Sequence, residues 1–146
     1  MRDISIRFEK EDRGRTYFIV DDACILLAYF TLTTKEVTLS AAASKSQKKT
    51  LKASSDTLKV KAHLIGQIGK NENVRDNPIN LKLILEEAYC IIDQARQLIG
   101  GRVIILECEN KLVQLYEKHG FKVLQTSPDI KDNTLITMFD VIKAQN

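Results

Sequence analysis

The sequence predicts an α/β (α+β) fold in which helices flank a mixed sheet, and three observations lead to this prediction. Residues 15–20 ("RTYFIV") and 23–32 ("ACILLAYFTL") are β-branched and aromatic runs. Asp21-Asp22 between them is typical of a turn, so the two runs predict a β-hairpin. A strand, a long helix and another strand follow one another over residues 62–108, and two further predicted strands come after them.

The first third of the chain also contains two less regular segments. Residues 4–12 are expected to form a short helix, because Ile4 and Phe8 lie four residues apart. Residues 33–61 are rich in Ser, Ala and Lys and are predicted to be irregular. Their lysines include Lys45, Lys48, Lys49, Lys52, Lys59 and Lys61. Two interpretations stay open for this segment: a surface that contacts phosphates, or a solvated loop or exposed helix.

The middle of the chain predicts a strand followed by a long helix. Residues 62–69 ("AHLIGQIG") read as a short strand that ends at glycine. Asn77-Pro78 is typical of a helix start, with Asn as the N-cap and Pro in the first turn. Apolar residues then recur every three or four positions, at Leu81, Ile84, Leu85, Ala88, Ile91, Ile92, Ala95 and Leu98. This spacing predicts one amphipathic helix, which Gly100-Gly101 ends.

The last third predicts three strands and a helix. Residues 102–108 ("RVIILEC") form a continuous apolar run, which is typical of a strand buried on both faces. The preceding strand and helix imply a right-handed crossover and parallel pairing with this strand. Residues 112–119 are expected to form a helix that Gly120 ends, and "FKVLQ" and residues 134–142 are the last two strands.

Composition narrows the class of protein. The 146 residues predict a single domain over residues 1–146 with one core. The chain is 44% hydrophobic and 28% charged, and no apolar run approaches the roughly 18 residues that a membrane span needs. The charged N-terminus lacks the apolar block of a secretory signal, which favours a cytoplasmic protein. A net charge of +3 permits a polyanionic partner without requiring one.

Cysteines and histidines give no sign of a metal site. Cys24, Cys90 and Cys108 each lie in an apolar context and are expected to be small core residues in a reducing compartment. The absence of CxxC and HxxxH pairs argues against zinc. His119 is expected to cap a helix C-terminus, and His63 is expected to be structural.

The loop over residues 69–80 is the candidate ligand site. In an open α/β sheet, ligands bind at the carboxyl ends of strands. The loop also leads into the long helix, whose N-terminal N–H groups and dipole attract anions. The sequence therefore predicts a phosphate-bearing ligand here.

Three stretches carry a family resemblance over residues 15–142. "RTYFIVDDACILLAYFTL" is similar to a hairpin, "LIGQIGKN" with the segment after it is similar to a strand and diphosphate loop, and "ECENKLVQLYEKHGF" is similar to a closing strand, helix and Y-E-x-x-G-F signature. All three of these features are typical of the GCN5-related N-acetyltransferase (GNAT) superfamily, which the three stretches therefore resemble. The chain resembles its small bacterial and phage-borne branch, which includes tRNA-acetylating toxins.

The resemblance implies a fold and an activity. The fold would be a GNAT fold, with a central twisted mixed sheet whose parallel strands splay apart. The activity would be transfer of an acetyl group from acetyl-CoA to a primary amine. The amino group of an aminoacyl-tRNA is one candidate acceptor, and an antitoxin protein is a candidate partner.

The resemblance also assigns site residues. The backbone of Ile68, Gly69 and Lys70 would line the acetyl group and pantetheine arm, and Asn110 would contact the pantetheine. Tyr116 would be the general acid that protonates the leaving thiolate. The diphosphate would be held by Arg75, Asp76, Asn77, Ile79, Asn80 and Leu81. Glu107 and Glu109 are both candidates for a base that acts through water, and the sequence does not choose between them.

Some positions depart from the family pattern. Pro78 and Asn80 stand where the diphosphate loop has glycines, and proline removes one N–H. Asn110 is one residue closer to Tyr116 than is usual. The segment before the hairpin is short, so part of the acceptor-binding wall is expected to be missing or to come from a second subunit of a homodimer. These departures leave a second hypothesis open: a degenerate GNAT fold that acts as a non-catalytic binding or regulatory module.

Overall fold

The computed structural model describes residues 3–8, 14–39, 45–51, 58–128 and 134–143. Its strands are β1 (Asp3–Phe8), β2 (Arg15–Val20), β3 (Leu26–Thr38), β4 (Lys59–Lys70), β5 (Val103–Cys108), β6 (Lys122–Pro128) and β7 (Thr134–Val141). Its helices are α1 (Lys45–Leu51), α2 (Leu81–Ile99) and α3 (Val113–Glu117), and a 3₁₀ turn at Asn110–Leu112 precedes α3. The described strands form a sheet in the order β1-β2-β3-β4-β5-β7-β6.

The first element is a strand, so the prediction of a short helix over residues 4–12 is wrong. β1 pairs antiparallel with β2, with Ile4 opposite Ile19 and Phe8 opposite Thr16. The apolar residues of β1 alternate with polar ones, and a four-residue spacing is compatible with this period of two as well as with a helix. Residues 9–13 lie outside the described part of the chain.

β2 and β3 form the predicted hairpin, with Ile19 opposite Ala28. The turn depends on Asp21, whose Oδ1 accepts hydrogen bonds from the backbone N–H groups of Ala23 (2.8 Å) and Ile25 (3.0 Å). A carboxylate that accepts from the following residues in this way stabilises a turn locally. The predicted turn chemistry is therefore confirmed at Asp21.

Residues 33–61 are more regular than predicted. β3 continues to Thr38, α1 follows, and β4 begins at Lys59. The alternation of Val37 and Leu39, both buried, extends the strand. Residues 40–44 and 52–57, Lys52 among them, lie outside the described residues.

The long helix is confirmed, but its first turn is not where it was predicted. Asn80, rather than Asn77, is the N-cap: its backbone is extended, and its side chain accepts a hydrogen bond from the N–H of Leu83. The helix ends at Gly100, where φ is +80°. Leu98 was expected on the apolar face, yet it is 85% exposed, because the buried stripe ends at Ile92, nearly two turns earlier.

β5 and β7 pair antiparallel, from Val103 opposite Val141 to Cys108 opposite Ile136. β6 pairs antiparallel with the other edge of β7. β5 is buried along most of its length, as its continuous apolar sequence predicts. The helix expected over residues 112–119 is shorter: a 3₁₀ turn leads into α3, which ends at Glu117.

Only one of the three cysteines is a core residue. Cys108 is buried, whereas Cys24 and Cys90 are exposed, so the prediction is wrong for those two. Cys24 lies in the hairpin turn with a φ of +61°. Cys90 lies on the outward face of α2, where the 3.6-residue period places it away from the buried stripe.

The chain divides into two compact units. Unit 1 comprises Met1–Thr33 and Ile65–Gly100, and unit 2 comprises Thr34–Leu64 and Gly101–Asn146. The core of unit 2 brings β3, α1, β4, β5 and β7 together through Val37, Leu39, Leu51, Val60, Ala62, Val103, Ile105 and Phe139. Among the described residues, no helix is long and apolar enough to cross a membrane.

Candidate functional site

In unit 1, the loop that joins β4 to α2 is held in shape by asparagine side chains. The backbone N–H of Asn71 donates to the carbonyl of Leu27 (2.9 Å), and its side-chain Nδ2 donates to the carbonyl of Leu26 (2.8 Å). Its Oδ1 accepts from the N–H of Asn73 (3.0 Å). One residue thus fixes the end of β4 against the start of β3 and begins the turn.

Asn77 fixes the second half of the same loop. Its Nδ2 donates to the carbonyls of Leu27 (2.9 Å) and Asn71 (3.2 Å), and its Oδ1 accepts from the N–H of Ile79 (3.0 Å). The Ile79 side chain is 2% exposed. Asn77 is therefore a loop organiser rather than the predicted N-cap, a role that Asn80 takes.

The diphosphate residues predicted from the sequence lie together in this loop and at the start of α2. The backbone N–H groups of Arg75, Asp76, Asn77, Asn80, Leu81 and Lys82 have no acceptor among the described residues. Pro78 has no N–H, and the N–H of Ile79 is occupied by Asn77. The loop therefore offers several N–H donors, but Pro78 and Ile79 at its centre supply none.

Charge around these donors favours an anion. α2 has 19 residues, and its first turn contains no acidic side chain, so the partial positive charge of its N-terminus is not neutralised there. The cationic residues Lys70, Arg75 and Lys82 are exposed nearby in sequence. Among the residues predicted to bind the diphosphate, Asp76 is the acidic one, and its φ of +54° is left-handed.

Ile68, Gly69 and Lys70 form the C-terminal end of β4, as expected. The ring of Tyr29 on β3 lies so close to Gly69 that an added Cβ would be 2.5 Å from Cζ. Two residues earlier, the N–H of Gln67 donates to the hydroxyl of Thr31 (2.8 Å).

In unit 2, Tyr116 lies on α3, shortly after the end of β5. Its ring contacts the edge of Phe121, with centroids 6.1 Å apart and an interplanar angle of 82°. The Tyr116 carbonyl accepts from the N–H groups of His119 (2.9 Å) and Phe121 (3.2 Å). Gly120, with a φ of +97°, allows the chain to turn back so that buried Phe121 fixes the tyrosine.

The surroundings of Tyr116 keep its phenol protonated. Partial burial raises the pKa of Tyr116 above its ordinary value, and the nearby Cys108 thiol raises the pKa further when it ionises. Burial also raises the pKa of Cys108, whose Sγ lies 3.7 Å from the sulfur of Met138. Both groups are neutral near pH 7, and a neutral phenol is the form that donates a proton.

The other candidates of unit 2 have more ordinary surroundings. Asn110 begins the 3₁₀ turn and is exposed. Glu107 forms an ion pair with Lys35 at 2.8 Å, and Glu109 lies 3.4 Å from Lys111. Neither contact selects one of the two carboxylates as the base.

The two histidines differ in their contacts. His63 is buried, and its Nε2 lies 3.1 Å from the carbonyl of Gly101, which supports the predicted structural role. His119 follows α3, and its backbone N–H, rather than its ring, caps the helix by donating to the carbonyl of Tyr116. No group of three or more potential metal ligands occurs in the described ranges.

Sequence reasoning missed three residues that shape the site: Asn71, Tyr29 and Thr31. Asn71 had a local signal, because an asparagine directly after a strand often accepts from its own following backbone. Tyr29 and Thr31 had none, because their roles depend on which β4 residues lie opposite them.

Comparisons with known proteins support the fold. No family model matches the sequence, and no curated protein matches it. AtaT complexed with acetyl-methionyl-tRNAfMet matches with a TM-score of 0.61 at 19% identity, over 85% of this chain and 70% of that one.

Two further solved structures agree with this result. A tyrosine-to-phenylalanine variant of the AtaT toxin, bound to the C-terminus of the antitoxin AtaR and acetyl-CoA, matches with a TM-score of 0.56 at 14% identity, over 88% of this chain and 68% of that one. Nourseothricin acetyltransferase matches with a TM-score of 0.54 at 13% identity, over 90% and 67%. The α+β fold implied by the GNAT resemblance is confirmed.

Proposed function

We propose that this protein is an N-acetyltransferase that transfers the acetyl group of acetyl-CoA to a primary amine. The observation that supports it most is the loop between β4 and α2. Asparagine side chains organise that loop, its unpaired N–H groups lie beside a helix whose first turn has no acidic side chain, and it occurs on a fold shared with acetyltransferases.

Acetyl-CoA fits the residues of unit 1 in two places. The main chain of Ile68, Gly69 and Lys70 would bind the pantetheine arm as an added strand would. The N–H groups of Asn80 and Leu81, together with those of residues 75–77, would bind the diphosphate. Since Pro78 and Ile79 offer no donor, we expect weaker binding than a glycine-rich loop would give, by about 1.5–3 kcal/mol for each missing charge-assisted bond.

The reaction then needs two proton movements. The acceptor amine must be neutral when it attacks the thioester carbon, and the C–S bond breaks as the tetrahedral intermediate collapses. We assign to Tyr116 the proton that the departing sulfur receives. Its raised pKa supports this role, because the phenol stays protonated at neutral pH. Glu107 and Glu109 both stay candidates for the base.

For the acceptor, we propose the amino group of an aminoacyl-tRNA. The support is that AtaT, which shares the fold, is known in complex with acetyl-methionyl-tRNAfMet. In this chain, Lys48 and Lys49 at the end of α1 would contact phosphates. An antitoxin protein belongs to the same proposal, since the AtaT variant binds one. A homodimer is also part of it.

A second candidate function is a binding module without catalysis. It is favoured by Pro78 and by the bond from the N–H of Ile79 to Asn77, which together remove two donors from the diphosphate site. Both functions use the same fold, so they differ in cofactor binding and turnover.

Calorimetry separates the two. Acetyl-CoA is titrated into the protein, and acetyl-pantetheine, which lacks the diphosphate, is the matched control ligand. The enzyme predicts micromolar binding of acetyl-CoA, weaker binding of acetyl-pantetheine, and release of free thiol when candidate amines or aminoacyl-tRNA are added. Absence of binding at millimolar acetyl-CoA would favour the module.

A further inference from the structure

Unit 2 contains a second candidate site, a cavity of about 530 Å³ where β4 and β5 begin and β7 ends. Four cationic side chains line it: Lys59, Lys61, Arg102 and Lys143. Among the residues that the structure describes, the lining contains no Asp or Glu. A cavity of this volume is in the range that small-molecule sites occupy, about 300–1,000 Å³.

Within the described ranges, three of the four cations have no acidic partner. Lys59 lies 3.6 Å from Glu36, a pair that is half exposed on both sides. Lys61, Arg102 and Lys143 have no ion-pair partner in the part of the chain that the structure describes. Like charges that converge on one cavity repel each other, so an anion bound among them would remove that repulsion.

The walls of the cavity are fixed by the protein core. Leu51, Val60 and Val103 line the cavity and are also members of the buried core of unit 2. The N–H of Ile142 donates to the carbonyl of Arg102 (2.8 Å), which holds the end of β7 beside the start of β5. The half-buried side chains of Val141 and Ile142 also line the cavity and remain partly open, which favours a ligand that has an apolar or planar body as well as charge.

His63 supports the same wall from behind. Its Nε2 lies 3.1 Å from the carbonyl of Gly101, a lining residue with a φ of +89°. A Cβ at Gly101 would be 3.1 Å from that nitrogen, so glycine permits both the left-handed backbone and the close approach of the imidazole. This contact explains why a buried histidine lies at this end of β4.

The cavity is separate from the acyl-transfer residues of unit 2. It lies at the start of β5, beside Val103, whereas Tyr116 comes after the other end of β5, beyond Cys108. With a rise of about 3.3 Å per residue, the two ends of this strand are roughly 17 Å apart.

We propose that this cavity binds a small phosphate monoester with an apolar or planar body. A phosphate monoester has a charge of about −1.5 to −2 at pH 7 and several strong acceptor oxygens, which match three cations without counter-charges. Arg102 is suited to a bidentate contact with phosphate, and Lys61 and Lys143 act as point charges. A polynucleotide backbone would use the cations but leave the apolar walls without a partner.

The test uses phenyl phosphate as the probe and the full chain as the protein. Binding is measured by calorimetry at low salt with dephospho-coenzyme A present, which has the diphosphate but no phosphate monoester, so that the proposed diphosphate site is filled. Inorganic phosphate and uncharged benzamide are the control ligands, and both should bind at least tenfold more weakly than phenyl phosphate. Arg102→Gln and Lys61→Gln should each weaken phenyl phosphate binding by about tenfold or more.

The control variant is Lys122→Gln, which removes an exposed lysine on β6 and should leave phenyl phosphate binding unchanged. Thr50→Glu places a carboxylate at an exposed lining position without touching the core, and should weaken binding while the melting temperature stays the same. If Arg102→Gln or Lys61→Gln fails to fold, the Thr50→Glu result tests the proposal instead. Binding of dephospho-coenzyme A, which has no phosphate monoester, should be equal in all four variants, which keeps this test independent of the proposed acetyltransferase activity.

Three results would overturn the proposal. The first is no phenyl phosphate binding by the folded wild type. The second is equal weakening by Lys122→Gln and Arg102→Gln. The third is binding of a single-stranded RNA oligonucleotide that depends on Arg102 while phenyl phosphate does not bind, which would make the cavity part of a nucleic-acid surface.

Discussion

The ring of Tyr29 packs directly on the backbone of Gly69, in the strand where the acetyl-CoA contacts are proposed. A Cβ at Gly69 would lie 2.8 Å from the Tyr29 hydroxyl oxygen and closer still to the ring. Gly69 is therefore explained by packing in unit 1, whether or not a pantetheine arm binds beside it.

Gly69→Ala is expected to lower the free energy of unfolding by about 1–3 kcal/mol, because the methyl group forces the Tyr29 ring to move. Urea denaturation measures this. The double variant Gly69→Ala with Tyr29→Ala is the control, and it should lose less stability than the sum of the single variants. A double variant that loses as much stability as the two single variants together would contradict direct packing of Tyr29 on Gly69.

Tyr116→Phe should lower turnover by about 10²–10⁴, the usual contribution of a general acid. Acetyl-CoA affinity and folding should be unchanged, because phenylalanine keeps the edge contact with Phe121. The measurement is the initial rate of thiol release. Tyr17→Phe, which keeps the stack of that ring on Phe30, is the matched control and should have normal turnover. Equal turnover in both variants would exclude Tyr116 from the mechanism.

Alkaline pH should destabilise the wild type more than Tyr116→Phe. The raised pKa means that the folded phenol keeps its proton at pH values where the unfolded phenol, with a pKa of about 10, has lost it. The unfolded state then binds fewer protons, so this stabilising contribution is complete below about pH 10 and is lost as pH rises toward the folded pKa. Unfolding free energies measured from pH 8 to 11 give the difference, and the Cys108 contribution is common to both proteins. Unfolding free energies that change with pH by the same amount in the wild type and in Tyr116→Phe would contradict the predicted effect.

Asn80 offers a way to separate stability from anion binding. Asn80→Ala should cost about 1 kcal/mol of stability, because the N–H of Leu83 loses its cap. Asn80→Asp should keep that stability, since aspartate caps as well and favours the helix dipole. The added carboxylate should nevertheless weaken acetyl-CoA binding, which calorimetry measures. Unchanged affinity in Asn80→Asp would show that the diphosphate does not bind at this helix end.

Sequence periodicity was sufficient for α2, the hairpin and β5, because their patterns are long or supported by strong turn residues. It failed at β1, where Ile4 and Phe8 fit two periods and pairing with β2 decides between them. It also assigned the N-cap to Asn77, since the ten residues 71–80 contain four asparagines, each with a side chain able to cap. Tertiary hydrogen bonds to Leu27 hold Asn77 elsewhere and leave the cap to Asn80.

The candidate site was predictable in its position but not in its details. A glycine-ended strand before a helix is enough to propose an anion site after β4. The loss of the Ile79 donor to Asn77 depends on the loop's conformation, which no local pattern specifies. The cavity at Arg102 and Lys61 is formed by residues from distant parts of the chain, so sequence spacing gave no sign of it.

The bonds made by Asn71 and Asn77 have a kinetic consequence for any ligand of that loop. Both side chains attach the loop to the start of β3 through hydrogen bonds within the chain, and these bonds do not require a ligand. Association would then involve no slow ordering of the chain, and the observed rate should rise linearly with ligand concentration instead of reaching a plateau.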